Sequence, residues 1–70
     1  MELPQIFGSN VREHRKRLGL SQEQLALDAE MKRSYVSDLE RGARNPSLRA
    51  IGRLASALRV EPWALLQPPP

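Results

Sequence analysis

The sequence predicts an all-α domain built from five short helices. Three observations support this prediction: apolar residues recur at helical spacing, capping residues and glycines separate the apolar stretches, and no stretch alternates between apolar and polar residues as a strand does. Seventy residues suffice for one domain. We expect this domain over residues 1–67, with the prolines at 68–70 forming a tail.

The ends of the first two helices are marked by individual residues. The first helix is predicted from Pro4 or Gln5 to Leu18, and Gly19 supplies the left-handed residue at which it stops. Ser21 is expected to cap the second helix, within a Ser-x-x-Gln capping box.

The other three helices are bounded in the same way. The third is predicted over residues 33–41 and stops at Gly42. The fourth begins after Ser47, and Pro62 suits the first turn of a short fifth helix. The apolar residues expected on the inner side of the fourth helix are Leu48, Ile51, Leu54, Ala55 and Leu58.

Small residues indicate where helices approach each other closely. Ala26 is expected where the third helix crosses the second. Gly52 lies inside the fourth helix, where glycine costs about 1 kcal/mol relative to alanine. A close contact with another helix is expected to explain it, with a neutral accident as the alternative.

Positive charge is concentrated in the second half of the chain. The net charge is +3, yet residues 1–31 carry four Lys/Arg against five acids, whereas residues 32–59 carry seven against two. The first stretch is therefore −1 and the second +5. This asymmetry is typical of polyanion binders, and a solvated basic surface is the alternative.

The composition argues against several functions. The chain has no cysteine and a single histidine, His14, so it holds neither a disulfide framework nor a zinc site. The sequence offers no nucleophile–base pair, phosphate loop, membrane-length apolar stretch or signal-peptide pattern. We therefore expect a cytoplasmic protein, not an enzyme, without cofactor, metal, small-molecule ligand or membrane partner.

The third predicted helix has two chemically different sides. Val36 and Leu39 form its apolar side. The opposite side carries short polar groups flanked by cations: Ser34, Ser37 and Asp38, with Lys32, Arg33 and Arg41. Short polar side chains allow close approach to a DNA groove, and long basic ones reach phosphates or guanines. The helix is therefore predicted to be the recognition helix of a helix-turn-helix unit at about residues 21–41.

Two opposite charges interrupt apolar faces. Arg15 lies four residues after Val11 on the inner stripe of the first helix, and Glu40 lies next to Leu39 on the inner side of the third. An unpaired buried charge is costly. The two side chains are therefore expected either to pair with each other or to reach solvent separately.

Five blocks of the sequence closely resemble the helix-turn-helix family of phage repressor, Cro and Xre-type regulators. They are Arg15, LSQEQLA (20–26), VSDLERG (36–42), NPSL (45–48) and LASAL (54–58). The resemblance covers about residues 7–66, nearly the whole chain. Within the family, the compact size and the segment around SYVSDLERG look most like controller proteins of restriction–modification systems.

The resemblance implies a five-helix, repressor-like domain that binds a palindromic operator in double-stranded DNA as a homodimer, with the third helix in the major groove. The implied base-contacting residues are Lys32, Arg33, Ser34, Ser37 and Asp38. The implied contacts to the DNA backbone are Gln22, Arg41, Arg44 and Asn45, to which we add Tyr35 at the edge of the outward face. The family pattern also pairs Arg15 with Glu40.

Three of these positions have alternative roles. Arg33 can bond O6 and N7 of guanine or bind a phosphate. Asp38 can accept from cytosine N4 or pair with Arg41 or Ser34. Tyr35 can rest on a sugar, on a thymine methyl group or on the neighbouring helix.

Three positions depart from the family pattern. Glu30 occupies a turn position where glycine is usual, so a left-handed backbone there carries strain of about 1 kcal/mol. Lys32 replaces the common Ser or Thr cap of the third helix. Arg59 replaces the glycine that usually follows the fourth.

The C-terminal end is rich in apolar residues: Val60, Trp63, Ala64, Leu65 and Leu66. A short helix has only one side against its own domain, so part of this surface needs a partner. We expect a homodimer through Trp63, Ala64 and Leu66, with closure of the monomer's own core as the alternative.

The sequence is also compatible with two other roles. An antitoxin, or another protein-interaction module of a toxin–antitoxin pair, can use the same fold and regulate its own promoter. The chain can also be one domain of a longer regulator, with the prolines as the beginning of a linker.

Overall fold

The computed structural model describes residues 2–68 and contains four α-helices followed by a 3-10 turn. The elements are α1 (Leu3–Arg17), α2 (Gln22–Asp28), α3 (Arg33–Glu40), α4 (Leu48–Leu58) and a 3-10 helix (Pro62–Leu65). The all-helical prediction is confirmed: α1 and α3 begin and end within two residues of their expected bounds, and α2 and α4 begin directly after Ser21 and Ser47 as expected. Residues 69 and 70 of the predicted proline tail lie outside the described residues.

The prediction of a fifth α-helix is wrong, because Pro62–Leu65 forms only one 3-10 turn. Its backbone bonds span three residues, from the Ala64 N–H to Glu61 and from the Leu66 N–H to Trp63. An α-helix needs donors farther along the chain, and the prolines at 68–70 have no N–H to donate. Pro68 therefore cannot donate to the Ala64 carbonyl, and the bonds that would extend an α-helix past this point are missing.

A single apolar core joins all of these elements. The core contains twelve buried residues: Phe7, Val11, Leu25, Ala26, Ala29, Val36, Leu39, Ile51, Leu54, Ala55, Leu58 and Leu65. The expectation that Leu48 lies inside is wrong: it is the first residue of α4, about one turn before Ile51, and is 87% exposed. Ala50 is buried in the same helix.

α1 and α3 approach each other closely at Gly8 in α1. A Cβ atom on Gly8 would lie 2.1 Å from the Leu39 carbonyl oxygen and 2.9 Å from that of Glu40. Gly52 is exposed, and a Cβ there would have no neighbour within 4 Å. The close contact expected at Gly52 is therefore wrong, and Gly8 is the residue that lets α1 support α3.

These two glycines predict opposite effects of the same substitution. We expect Gly8→Ala to destabilise the fold by about 1–3 kcal/mol or to prevent folding, because rigid backbone atoms block the added methyl group. Gly52→Ala, the matched control, should stabilise it by about 1 kcal/mol because alanine favours the helix and has open space. Urea unfolding of both variants measures the effects, and an unchanged midpoint for Gly8→Ala would contradict the close contact.

The turn between α2 and α3 has the left-handed residue that the family pattern requires. Glu30 has a φ of 57°. The Met31 N–H bonds the Ala26 carbonyl, and the Glu30 N–H bonds the Leu27 carbonyl, which closes the end of α2. Arg59 ends α4 with a φ of 61°. The Glu30 turn sets the direction in which α3 leaves α2.

Candidate nucleic-acid interface

The α3 helix lies on the surface of the core with its polar side outward. Val36 and Leu39 are fully buried, whereas Arg33 and Ser34 are exposed. Lys32 precedes the helix without a side-chain capping bond, as its departure from the Ser/Thr pattern predicts. The helix therefore presents a ridge of short polar groups, with cations before and after it.

Asp38 forms a charged cluster with two arginines at the end of this ridge. Arg41 Nη2 donates to Asp38 Oδ1, and Arg44 Nε lies 3.8 Å from Asp38 Oδ2. The guanidinium of Arg44 also stacks over the Tyr35 ring, 5.2 Å from its centroid. Of the roles open to Asp38, pairing with Arg41 is the one present in the DNA-free protein.

Tyr35 is half-buried and packs against the core, so its ring belongs to the helix packing as well as to the surface. A depression opens beside the ring, lined by Lys32, Ser34, Tyr35, Asp38 and Arg44. Every one of these residues belongs to the set predicted to contact DNA. The fold therefore gathers residues from α3 and the following loop into one polar surface.

The charges on the inner faces of α1 and α3 meet. Arg15 Nε lies 2.7 Å from Glu40 Oε2, and Arg15 Nη2 lies 3.0 Å from Glu40 Oε1. The two side chains are 12% and 3% exposed. Arg15 Nη1 also donates to the Leu20 carbonyl at 2.8 Å. The pair ties α1 and the turn after it to the end of α3.

The hydrogen bond to Glu40 raises the pKa of Arg15, outweighing the opposite effect of burial. Arginine already loses its proton only above pH 12. Because the pKa of Arg15 is higher in the folded state, its charge stabilises the fold until the pH rises through that raised pKa. The titration of Arg15 therefore adds no pH dependence in the range where proteins are studied.

Gln22 joins the same network. Its amide Nε2 donates to Glu40 Oε1 at 3.1 Å, so the start of α2 is bonded to the end of α3. The family resemblance assigns Gln22 to a DNA phosphate, and its place in the Glu40 network was missed. Nothing in the local sequence indicates a bond between residues 18 positions apart.

Asn10 is a second structural residue that the sequence did not indicate. Its side-chain Nδ2 donates to the Leu65 carbonyl at 2.9 Å and to the Gln67 carbonyl at 2.7 Å. These bonds fasten the C-terminal segment to α1. No local pattern reveals them, because the partners are 55 and 57 residues away.

The remaining predicted site residues lie apart from the polar depression. Asn45 borders an apolar groove formed by Leu3, Pro4, Phe7, Pro46, Ile51 and Leu66. Trp63 is 61% exposed and Leu66 37%, whereas Leu65 between them is fully buried. Ala64 is half-buried. Leu65, and not Trp63, closes the core of the monomer.

The described part of the chain, residues 2–68, also bears on metal binding and membrane insertion. The described residues contain no cluster of three or more His, Cys, Asp or Glu that could hold a metal ion. No helix in this part of the chain has the length and apolar character needed to cross a membrane.

A helix pair joined by a tight turn, with an exposed polar second helix and cations around it, defines the class of helix-turn-helix DNA-binding proteins. The profile of the helix-turn-helix family matches residues 11–62. The chain belongs to this family of Xre-type, DNA-binding transcription regulators. The resemblance found in the sequence is thereby confirmed.

The relatives include restriction–modification controllers. The control protein C.BamHI of Bacillus amyloliquefaciens is 45% identical over 62 residues, which is 87% of this chain and 76% of that protein. The restriction-modification controller protein C.AhdI from Aeromonas hydrophila has a similar structure, with a TM-score of 0.86 and 50% identity over 89% of this chain and 94% of that one.

A DNA complex is also among the similar structures. The biofilm regulator SinR in complex with DNA has a TM-score of 0.84 and 32% identity, covering 87% of this chain and 98% of that chain.

Proposed function

We propose that the protein binds a palindromic operator in double-stranded DNA as a two-fold homodimer, with α3 of each protomer in the major groove. The observation that carries the proposal is the polar, cation-flanked outer side of α3, held outward by the buried Val36 and Leu39. Two such helices read half-sites about one helical turn apart, roughly 34 Å.

The surrounding side chains have distinct roles in this proposal. Arg33 reads a guanine, while Ser34 and Ser37 allow close approach and add hydrogen bonds. Lys32 reaches base edges from the groove margin, and Arg41 and Arg44 bind phosphates. Further backbone contacts come from the second hydrogen of the Gln22 amide, Tyr35 and Asn45.

The regulated genes are proposed from the relatives. C.AhdI is a restriction-modification controller and C.BamHI a control protein. We propose that this chain controls genes of a restriction–modification system and acts in the cytoplasm. Binding to DNA upstream of its own gene and its neighbours, compared with binding to unrelated DNA, tests this assignment.

Selection from a pool of random oligonucleotides tests the DNA-binding proposal directly. We expect a palindromic consensus for the wild type. Arg33→Ala should weaken operator binding by about 1–3 kcal/mol and relax the preference at one base pair per half-site, since a bidentate guanine contact is lost. Arg53→Ala, on the exposed side of α4, is the control for loss of charge alone. An equal loss on all sequences would make Arg33 a phosphate contact.

The dimer proposal rests on apolar surface that the monomer leaves uncovered. Trp63 is 61% exposed, Leu66 is 37% exposed and lines the apolar groove, and Leu48 at the start of α4 is 87% exposed. Exposed apolar side chains of this size are typical of interaction surfaces, and tryptophan is a frequent anchor residue. The same face of a second copy would cover them.

We expect Trp63→Ala combined with Leu66→Ser to yield a folded monomer with weakened binding to a palindrome. Neither side chain belongs to the buried core, so the fold should survive their truncation. Sedimentation and operator binding measure the two effects. Leu27→Ser, at a leucine that is 73% exposed on α2, is the matched control. A wild type that is monomeric at tens of micromolar would contradict the dimer.

A further inference from the structure

The DNA-free protein neutralises part of its own positive surface. Asp38 accepts a hydrogen bond from Arg41 and lies 3.8 Å from Arg44, and its side chain is 31% exposed against 66% and 58% for the two arginines. The carboxylate therefore sits beneath two guanidinium groups that face solvent. Both arginines are already engaged before any phosphate arrives.

A carboxylate and a phosphate compete for the same guanidinium donors. Each accepts hydrogen bonds through negatively charged oxygens, and arginine binds both in the same fork geometry. A phosphate that approaches Arg41 or Arg44 must displace Asp38 or remain close to its negative charge. In either case Asp38 weakens the attraction of this surface for a DNA backbone of any sequence.

The position of Asp38 on α3 allows it to find another hydrogen-bond donor when a phosphate displaces it from the arginines. It lies on the same outward side of the helix as Ser34, and both residues line the depression beside Tyr35. In a major groove, a carboxylate can accept from the amino group of cytosine. Such a base donor can replace the arginine donors, whereas on a sequence without it Asp38 competes with the phosphates for the two arginines.

We propose that Asp38 is a specificity-determining residue that keeps Arg41 and Arg44 from binding non-cognate DNA. On the operator, a base amino group donates a hydrogen bond to the Asp38 carboxylate in place of the arginines. Arg41 and Arg44 are then free to bind phosphates. On other sequences, the carboxylate stays on the arginines or repels the backbone. This inference rests on the proposed operator binding and adds to it an acidic residue that lowers non-specific affinity.

Asp38→Asn tests this role because the amide keeps the shape of the side chain and removes its charge. We expect affinity for a duplex of random sequence to rise about five- to tenfold, since two arginines are released in each protomer. Operator affinity should rise less or fall, so the preference for operator decreases. Asp28→Asn makes the same change in net charge at an exposed position at the end of α2 and serves as the control.

The affinities of Asp38→Asn and of Asp28→Asn are measured by fluorescence anisotropy, each for the selected operator and for a random duplex at one salt concentration. The ratio of the two affinities of a variant is its preference for operator. The gain on random DNA should disappear when Asp38→Asn is combined with Arg41→Gln and Arg44→Gln. Equal preference for operator in Asp38→Asn and Asp28→Asn would overturn the proposal. A wild type that prefers no selected sequence over the random duplex would instead overturn the operator binding on which the proposal rests.

Discussion

Raising the salt concentration from about 50 to 200 mM is expected to weaken DNA binding by roughly 10³- to 10⁵-fold. Four cations surround the proposed contact surface of each protomer: Lys32, Arg33, Arg41 and Arg44. A dimer that neutralises about six to ten phosphates releases a similar number of counterions, and their release is opposed by added salt. The logarithm of the affinity should therefore fall linearly with the logarithm of the salt concentration.

The slope of this line can be assigned to individual residues. Arg44→Gln should reduce it by about two in a dimer, since each lost phosphate contact removes about one unit. Arg53→Gln, on α4, should leave it unchanged. Binding measured by anisotropy at several salt concentrations gives the slope, and a nearly flat response would contradict phosphate contacts by this surface.

Arg15→Ala is expected to destabilise the fold by about 3–5 kcal/mol, because it leaves the Glu40 carboxylate buried with Gln22 as its remaining side-chain donor. A domain of this length has a total stability of only about 4–10 kcal/mol. The melting temperature should therefore fall by at least about 12 °C, and the variant is expected to be partly unfolded at physiological temperature.

Two further variants separate the buried pair from a general effect of charge. Arg17 and Glu13 form an exposed pair, with side chains that are 64% and 65% exposed. Arg17→Ala breaks this pair and should change the free energy of unfolding by less than about 0.5 kcal/mol. Replacing Arg15 and Glu40 together by methionine should recover part of the loss, since no charge stays buried. Recovery is incomplete because the Leu20 carbonyl and the Gln22 amide lose their partners. An unchanged melting temperature for Arg15→Ala would contradict a stabilising pair.

Most of the helical fold could be predicted from residues that act over one turn. The capping box at Ser21 forms as expected, with the Gln24 N–H bonded to the Ser21 hydroxyl and the Gln24 side chain bonded back to the Ser21 N–H. The two sides of α3 could also be predicted, because helical spacing alone separates Val36 and Leu39 from the polar residues. These signals depend on neighbours within four positions, so the sequence by itself determined the four α-helices, the turn between α2 and α3 and the family.

The tertiary structure alone decided which residues meet across the fold. Helical spacing placed Arg15 and Glu40 on inner faces but left their pairing open, and it gave no sign that Gln22 completes the network. The cost of a glycine inside α4 suggested a close helix contact at Gly52, whereas the crossing of α1 and α3 requires a glycine at Gly8. The bonds of Asn10 to the C-terminal segment join residues more than 50 positions apart. Such contacts depend on the directions in which helices leave their turns, and no local pattern of residues records those directions.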